Sequence, residues 1–257
     1  MTRLSFITNP ILATAIAGAL CTLSGEARAQ WTATPYVWAA SLDARVSLNG
    51  AQVLNEHIAF SELLKDVDMA AMLRVEGQFG RIGTRFDLFY IGMSTTGDAI
   101  RLPNGIAGTL SSEIGTTIFD ATASYGLGGG ASGFALVAGT RLLVERTELD
   151  LTIPTSSTTT LTHSESQRDW QPNAIVGVQF RRRLTSRLSM DARGDIGTGG
   201  TQLTWSAGSE MAYAFGPSQR FALRAGYRHL VIDYKEEPPM QASLTLSGLV
   251  TGFRIAF

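Results

Sequence analysis

The chain is dominated by an alternation of apolar and polar residues with a period of two, which recurs from Met72 to Phe257. In residues 221–228, for example, Leu223 and Tyr227 fall on one face of an extended strand and Arg224 falls on the other. Side chains of a strand point alternately to its two faces, whereas those of a helix repeat every 3.6 residues or so. The period therefore predicts an all-β fold. No segment after the N-terminal one approaches the roughly 18 continuous apolar residues of a transmembrane helix.

Two β architectures contain such strands. A soluble sandwich turns its apolar faces inward, whereas a membrane barrel turns them toward lipid and lines its lumen with the polar faces. The polar faces are rich in arginine and carboxylates, and only Lys65 and Lys235 among the 21 basic residues are lysine, which favours enclosed ion pairs. Aromatic residues lie at strand ends, where an interfacial girdle is expected: Phe79, Phe86, Tyr125, Phe134, Phe180, Phe215, Phe221 and Phe257. These features favour a single antiparallel transmembrane β-barrel.

The connections between strands give a strand count. Short turns are expected at 80–83, 126–133, 183–187 and 216–220, and longer or more polar connections at 41–67, 95–108, 154–169, 198–200 and 236–241. Four turns on one side and five loops on the other, with both ends of the barrel on the turn side, predict ten strands, with eight as the alternative. We expect one domain, residues 30–257, with short periplasmic turns and longer external loops.

Some of the loops carry local structural signals. Asn49-Gly50 and Asn104-Gly105 are type I′ hairpin sequences, which predict strands that continue beyond the membrane. Residues 61–65 form a short candidate helix with Ser61 as its cap. Loops 41–67 and 154–169 are the expected external contact surface, and they could hold an external ligand.

The N-terminal residues 1–29 have the organisation of a secretory signal peptide. Arg3 supplies the positive charge, residues 11–20 form a short apolar stretch, and Ala27 and Ala29 flank an A-x-A cleavage site. That stretch is about half the length that a spanning helix needs. Cys21, the only cysteine, would leave with the signal, so neither a disulfide framework nor a cysteine metal site is expected.

The net charge of the whole chain is −1, from 21 basic and 22 acidic residues. A protein that binds nucleic acid normally carries a clear basic excess. The charge balance therefore argues against a nucleic-acid partner.

The last six residues carry a resemblance to a known class of proteins. Phe253, Ile255 and the terminal Phe257 alternate as in the assembly signal of Gram-negative outer-membrane barrels. The resemblance implies a location in the cell outer membrane, contact with its lipid, and recognition of this strand by the barrel-assembly machinery.

Shorter motifs are similar to an uncharacterised group of proteobacterial outer-membrane proteins, loosely grouped with the opacity and OmpA-like porin-fold barrels. These motifs are residues 36–40 (YVWAA), Asp169-Trp170 with Pro172, and residues 226–234. Gln171 stands where an acidic residue is expected before Pro172. The resemblance implies a fold and a location, and no reaction.

The charged positions on the predicted inward faces are the most informative candidate site. They are nearly balanced in sign: Arg74, Glu76, Arg85, Asp87, Asp120, Arg141, Glu145, Arg181, Asp191, Arg193, Asp195, Glu210, Arg224, Arg228 and Arg254. Removing a charge from water is costly unless it is paired, so we expect arginine–carboxylate networks across the lumen. The main hypothesis is a plugged lumen with a structural or surface role. The alternative is a narrow passive channel whose arginines guide small anions.

Catalytic and metal chemistry have weaker support. The three histidines, His57, His163 and His229, lie far apart without metal-ligand spacing, so no metal and no cofactor is expected. A third hypothesis is an outer-leaflet hydrolase that uses His163 or His229, the latter with Asp233 or Glu236. No catalytic pair is visible in the spacing, and we expect a non-enzymatic protein.

Overall fold

The computed structural model describes residues 30–49, 51–101, 107–128, 132–154, 160–235 and 240–257. The predicted signal peptide, with Ala27 and Ala29, lies outside the described residues, and so do Asn104 and Gly105. The described elements follow one another along the chain as β1 (Gln30–Leu48), β2 (Ala51–Ile58), α1 (Phe60–Asp66), β3 (Val67–Phe79), β4 (Ile82–Arg101), β5 (Ala107–Gly126), β6 (Gly133–Pro154), β7 (Thr160–Arg183), β8 (Leu188–Gly199), β9 (Leu203–Phe215), β10 (Phe221–Asp233) and β11 (Met240–Ala256).

Ten of the described strands close into an antiparallel barrel. From β3 to β11 each strand pairs with the next in sequence, β1 pairs with β3, and β11 returns to pair with β1. The closing ladder matches Trp38 with Val250 and Ser41 with Ser247, and it ends where Phe257 N donates to Trp31 O at 3.0 Å. β2 is an eleventh strand outside the closed wall. The prediction of ten barrel strands rather than eight is confirmed.

The connections divide the barrel into two ends. The end with the turns at 80–81, 127–132, 184–187 and 216–220, and with the start of β1 and the end of β11, is called the turn side. The opposite end is called the loop side. The strands differ greatly in length: β4 to β7 span 20 to 24 residues, whereas β8, β9 and β10 span 12 or 13.

Because a membrane-spanning strand needs about 9–11 residues, β4 to β7 extend the wall far beyond the span on the loop side. Much of the predicted connections 41–67, 95–108 and 154–169 is therefore strand. The apolar alternation fades there because neither face of the extension meets lipid. Asn49, at the tip of the β1–β2 hairpin, has the positive φ of 53° that its turn sequence predicts.

The pairing between β1 and β3 is incomplete. Residues Gln30 to Pro35 of β1 pair with β3, but in the described register no strand pairs with residues 36–41 on that side. Pro35 has no N–H to continue the ladder. The N–H of Trp38 instead donates to the thioether sulfur of Met72, at 3.1 Å. Beyond this gap, Leu42 to Leu48 stay paired with β11 and carry β2 on their other edge.

Helix α1 confirms the predicted helix at residues 61–65, but its cap differs. The helix begins at Phe60 with Ala59 as N-cap, and the Glu62 carboxylate accepts a hydrogen bond from Ala59 N at 3.3 Å. Ser61 is therefore inside the helix. No helix among the described residues is long and apolar enough to cross a membrane.

The outward face of the wall is apolar. Val37, Leu136, Val178 and Leu249 are each more than half exposed, and all point away from the lumen. Charged side chains occupy the alternate, inward positions, which is the inversion expected of a lipid-facing barrel. At Gly226 an added Cβ would collide with the backbone oxygen of Ser209, so the strands approach too closely there for any side chain.

Candidate functional site

Arg141 lies at the centre of the lumen and is 0% exposed. Its Nε and Nη2 donate to the two carboxylate oxygens of Asp120, both at 2.8 Å, and Nη2 also reaches Asp195 at 3.0 Å. Thr204 Oγ1 accepts from Nη1 at 3.1 Å. This fork-to-fork geometry is the strongest form of arginine–carboxylate pairing.

A second group of ion pairs surrounds Glu76, closer to the turn side. Its carboxylate contacts Arg85 and Arg224, each at 2.8 Å, and Arg181 at 3.2 Å. Arg85 and Arg181 also contact Asp191. One carboxylate is thus shared by three guanidinium groups, a concentration of positive charge toward the turn side.

The two groups join through Arg74 and Arg228. Arg74 contacts Asp87 at 3.0 Å and Glu210 at 2.7 Å, and Glu210 contacts Arg224. Arg228 lies 3.7 Å from both Asp87 and Asp120. The joined residues form what we call the charge lattice: Arg74, Glu76, Arg85, Asp87, Asp120, Arg141, Arg181, Asp191, Arg193, Asp195, Glu210, Arg224 and Arg228.

Glu145 and Arg254 lie outside the charge lattice. Glu145 accepts a hydrogen bond from the hydroxyl of Tyr234, which follows the end of β10. Burial, and then the nearby carboxylate, raise the pKa of Tyr234 above its ordinary value. Arg254 has neither an ion pair nor a hydrogen bond to any described residue, and its buried Nε is without a partner.

A cluster of buried apolar side chains, which we call the apolar plug, lies on the loop side of the charge lattice. Its buried members are Tyr36, Trp38, Ala40, Phe89, Ile118, Leu143, Leu230, Ile232, Leu246 and Val250. Leu230 and Ile232 are 0% exposed, and Trp38 is 1% exposed. The signal for the plug is present in runs such as Leu230-Val231-Ile232, where apolar residues occupy both faces of one strand.

Aromatic residues connect the apolar plug to the charge lattice. The hydroxyl of Tyr36 donates to Asp87 at 2.6 Å, and the Arg74 guanidinium lies 5.3 Å from the Tyr36 ring centre. The guanidinium of Arg228 lies 4.8 Å from the Trp38 ring centre, a cation–π distance. Trp38 in turn packs edge-on against Phe89 at 5.5 Å. Tyr36 and Trp38 therefore bring the apolar plug into direct contact with the charge lattice.

A polar cavity of about 230 Å³ lies on the turn side of the charge lattice. Gln30, Ser132 and Gln219 line its mouth, and Glu76, Arg193 and Glu210 lie at its inner end. From the turn side to the loop side, the lumen thus consists of a polar cavity, the charge lattice and the apolar plug.

Among the described residues, no histidine side chain lies beside a carboxylate inside the lumen. His229 lies on the outward face, 4.9 Å from the ring of Trp205. Asp233 is four residues further along the same strand face, roughly 13 Å away at the rise of an extended strand. His57 Nδ1 contacts Asp43 at 2.7 Å on the exposed β1–β2 hairpin. The side chain of His163 and all of Glu236 lie outside the described part of the chain.

No group of His, Cys, Asp or Glu able to hold a metal ion occurs within the described ranges. The charge lattice itself consists of ion pairs between arginines and carboxylates.

No protein-family model and no curated protein sequence matches this chain. Among solved structures, the outer-membrane protease OmpT of Escherichia coli superimposes with a TM-score of 0.55 at 9% identity, covering 92% of this chain and 99% of OmpT. The chain has the outer-membrane β-barrel fold. Ail, the attachment invasion locus protein of Yersinia pestis, gives a TM-score of 0.34 at 11% identity over 88% of this chain and 98% of Ail. The toluene transporter TodX of Pseudomonas putida gives 0.33 at 11% identity over 88% of this chain and 89% of TodX. At these identities the likeness concerns the fold alone.

Proposed function

We propose that this chain is a non-enzymatic integral protein of the outer membrane whose lumen is closed. The observation that carries the proposal is the stacking of the apolar plug on the charge lattice. Leu230, Ile232 and Arg141 are each 0% exposed, and they come from strands on different sides of the lumen. Water and ions would have to pass buried apolar side chains and then paired charges, so the lumen supports the wall and does not conduct.

The outward face supports the proposed location. Its apolar belt faces outer-membrane lipid, and residues 1–29 act as the signal that exports the chain. Phe253 packs against Phe215 and Phe221 at ring-centre distances of 5.9 and 5.7 Å on the turn side. Ile255 and Phe257 are 37% and 60% exposed, so the barrel-assembly machinery could reach the side chains of the proposed assembly signal.

The tall wall of β4 to β7 supports a surface-contact role. These strands extend past the membrane on the loop side, while β8 to β10 remain short. The short β8–β9 turn folds against the tall wall, because Thr201 N and Oγ1 both donate to Asn173 Oδ1, at 2.9 and 2.7 Å. This arrangement presents a one-sided sheet to external partners.

The two other hypotheses have less support. An anion channel needs a continuous water path, which the apolar plug obstructs. A hydrolase needs a histidine in contact with an acid beside a nucleophile. His229 faces outward on its strand, far from Asp233, and the contact between His57 and Asp43 lies on the exposed β1–β2 hairpin. We therefore favour the structural and surface role.

Single-channel recording in a planar bilayer tests the closed lumen. Residues 30–257 would be refolded in detergent, and heat-modifiable gel mobility would verify that the barrel has formed. A folded barrel that produces no discrete conductance steps is the expected result. Discrete steps that scale with salt concentration would overturn the closed lumen and restore the channel hypothesis.

A further inference from the structure

The cavity on the turn side has an unbalanced lining. Seven arginines and three carboxylates line it, although the charge lattice as a whole is nearly neutral. The three carboxylates, Glu76, Asp191 and Glu210, are all engaged in ion pairs with arginines. The excess positive charge therefore has no counter-charge left within the lining.

Two of these guanidinium groups have buried N–H donors without acceptors. Nη2 of Arg193 and Nε of Arg254 are both buried and lack a hydrogen-bond partner among the described residues. The side chain of Arg193 is only 10% exposed. Buried donors normally find a partner, and each orphan costs free energy. Arg193 and Arg254 both line the cavity, so its lining includes two donors that still need an acceptor.

Further donors lie nearer the mouth of the cavity. Arg183 and Arg187 are exposed residues of the lining, and neither makes an ion pair with a described residue. Their planar forks suit the oxygen geometry of a phosphate group. An anion entering from the turn side would meet these two residues first and then Arg254.

We propose that this cavity is a binding site for a small soluble phosphate-bearing molecule, taken up from the turn side. A volume of about 230 Å³ lies below the range of drug-sized pockets, and it suits a phosphate with a small substituent. The cavity lies inside the wall and away from the apolar belt, so its ligand is a soluble anion rather than a lipid headgroup. The proposed site uses only the turn-side end of the lumen, so it does not depend on whether the lumen conducts.

Titration calorimetry with inorganic phosphate tests the proposal, using residues 30–257 refolded in a maltoside detergent that contains no phosphate. The wild-type barrel should bind with a stoichiometry of one, and binding should weaken as salt concentration rises. Arg183→Gln and Arg254→Gln should each weaken binding by about tenfold, because each removes a charge-assisted hydrogen bond. Heat-modifiable mobility shows that each variant is folded.

Arg182→Gln is the matched control. Arg182 is the neighbour of Arg183 on β7, but it is exposed on the outward face and does not line the cavity. Its removal should leave the affinity within about twofold of wild type, because it contributes only long-range charge. Absence of binding by the folded wild type, or equal weakening by Arg182→Gln and Arg183→Gln, would overturn the site. Neither result would bear on conductance, so the two proposals fail separately.

Discussion

Arg141→Ala is the substitution that most clearly tests the charge lattice. Asp195, one of its two acidic partners, would keep Arg193 at 3.1 Å and the Ser206 hydroxyl at 3.0 Å. Asp120 would lose both of its 2.8 Å hydrogen bonds and keep only the distant Arg228, at 3.7 Å. The substitution thus leaves one buried carboxylate nearly uncompensated.

Breaking a buried ion pair from one side costs about 3–5 kcal/mol, so we expect a loss of that size in the free energy of unfolding. The control is Arg146→Ala, on the same strand, because Arg146 pairs with Glu148 while its side chain is 51% exposed. An exposed pair contributes less than about 1 kcal/mol. Replacing both buried partners, as in Arg141→Met with Asp120→Leu, should recover much of the loss, because no uncompensated charge remains at that pair.

Equilibrium urea unfolding of the refolded barrels, followed by tryptophan fluorescence, gives the loss in the free energy of unfolding for each of the three variants relative to wild type. A loss for Arg141→Ala no larger than that for Arg146→Ala would refute the claim that the lattice stabilises the wall. So would a double variant less stable than Arg141→Ala alone.

Three further predictions concern the wall, the rim and assembly. Gly226→Ala should destabilise the barrel by about 1–3 kcal/mol in urea unfolding, because a Cβ there meets backbone. Gly194→Ala should cost far less, because a Cβ there would lie 3.7 Å from the backbone oxygen of Ser206, and similar losses for the two variants would contradict the packing argument. Because the pKa of Tyr234 is raised in the folded barrel, Tyr234 contributes to stability at pH values below about 10, the ordinary pKa of tyrosine. That contribution is lost as the pH rises above this value. In Tyr234→Phe the free energy of unfolding should therefore decrease less steeply above that pH. An unchanged decrease would mean that other groups cause it. Deleting Phe257 removes the backbone hydrogen bonds to Trp31 and should reduce the folded, heat-modifiable barrel in membranes; wild-type levels would count against the assembly signal.

The wall of the barrel follows from local sequence, and this explains why ten strands could be predicted. Leu223 and Arg224 fall on opposite faces because neighbouring residues of any strand do so, and the four short turns interrupt the pattern visibly. The strand ends on the loop side were harder to predict, because the period-two signal depends on lipid at one face. Above the membrane that contrast disappears, and the extended β6 and β7 have the composition of polar loops.

The contents of the lumen depend on contacts between distant strands, which local periodicity cannot supply. Glu145 was expected to pair with an arginine, but its carboxylate accepts a hydrogen bond from Tyr234 instead. Leu230 and Ile232 belong to a continuous apolar run, in which the alternation that marks inward and outward faces is lost. The apolar plug was therefore not predicted. Such a run indicates burial on both faces, and in a barrel the second buried face can only be the lumen.

The sidedness of the lumen can be measured with a single introduced thiol, because residues 30–257 contain no cysteine. Ser124 lines the cavity on the turn side, whereas Ser166 is exposed on the loop-side extension of β7. A small charged thiol reagent added outside intact cells should label Ser166→Cys and spare Ser124→Cys, which should react once the outer membrane is permeabilised. Equal labelling of both variants from outside would show a continuous water path and contradict the closed lumen.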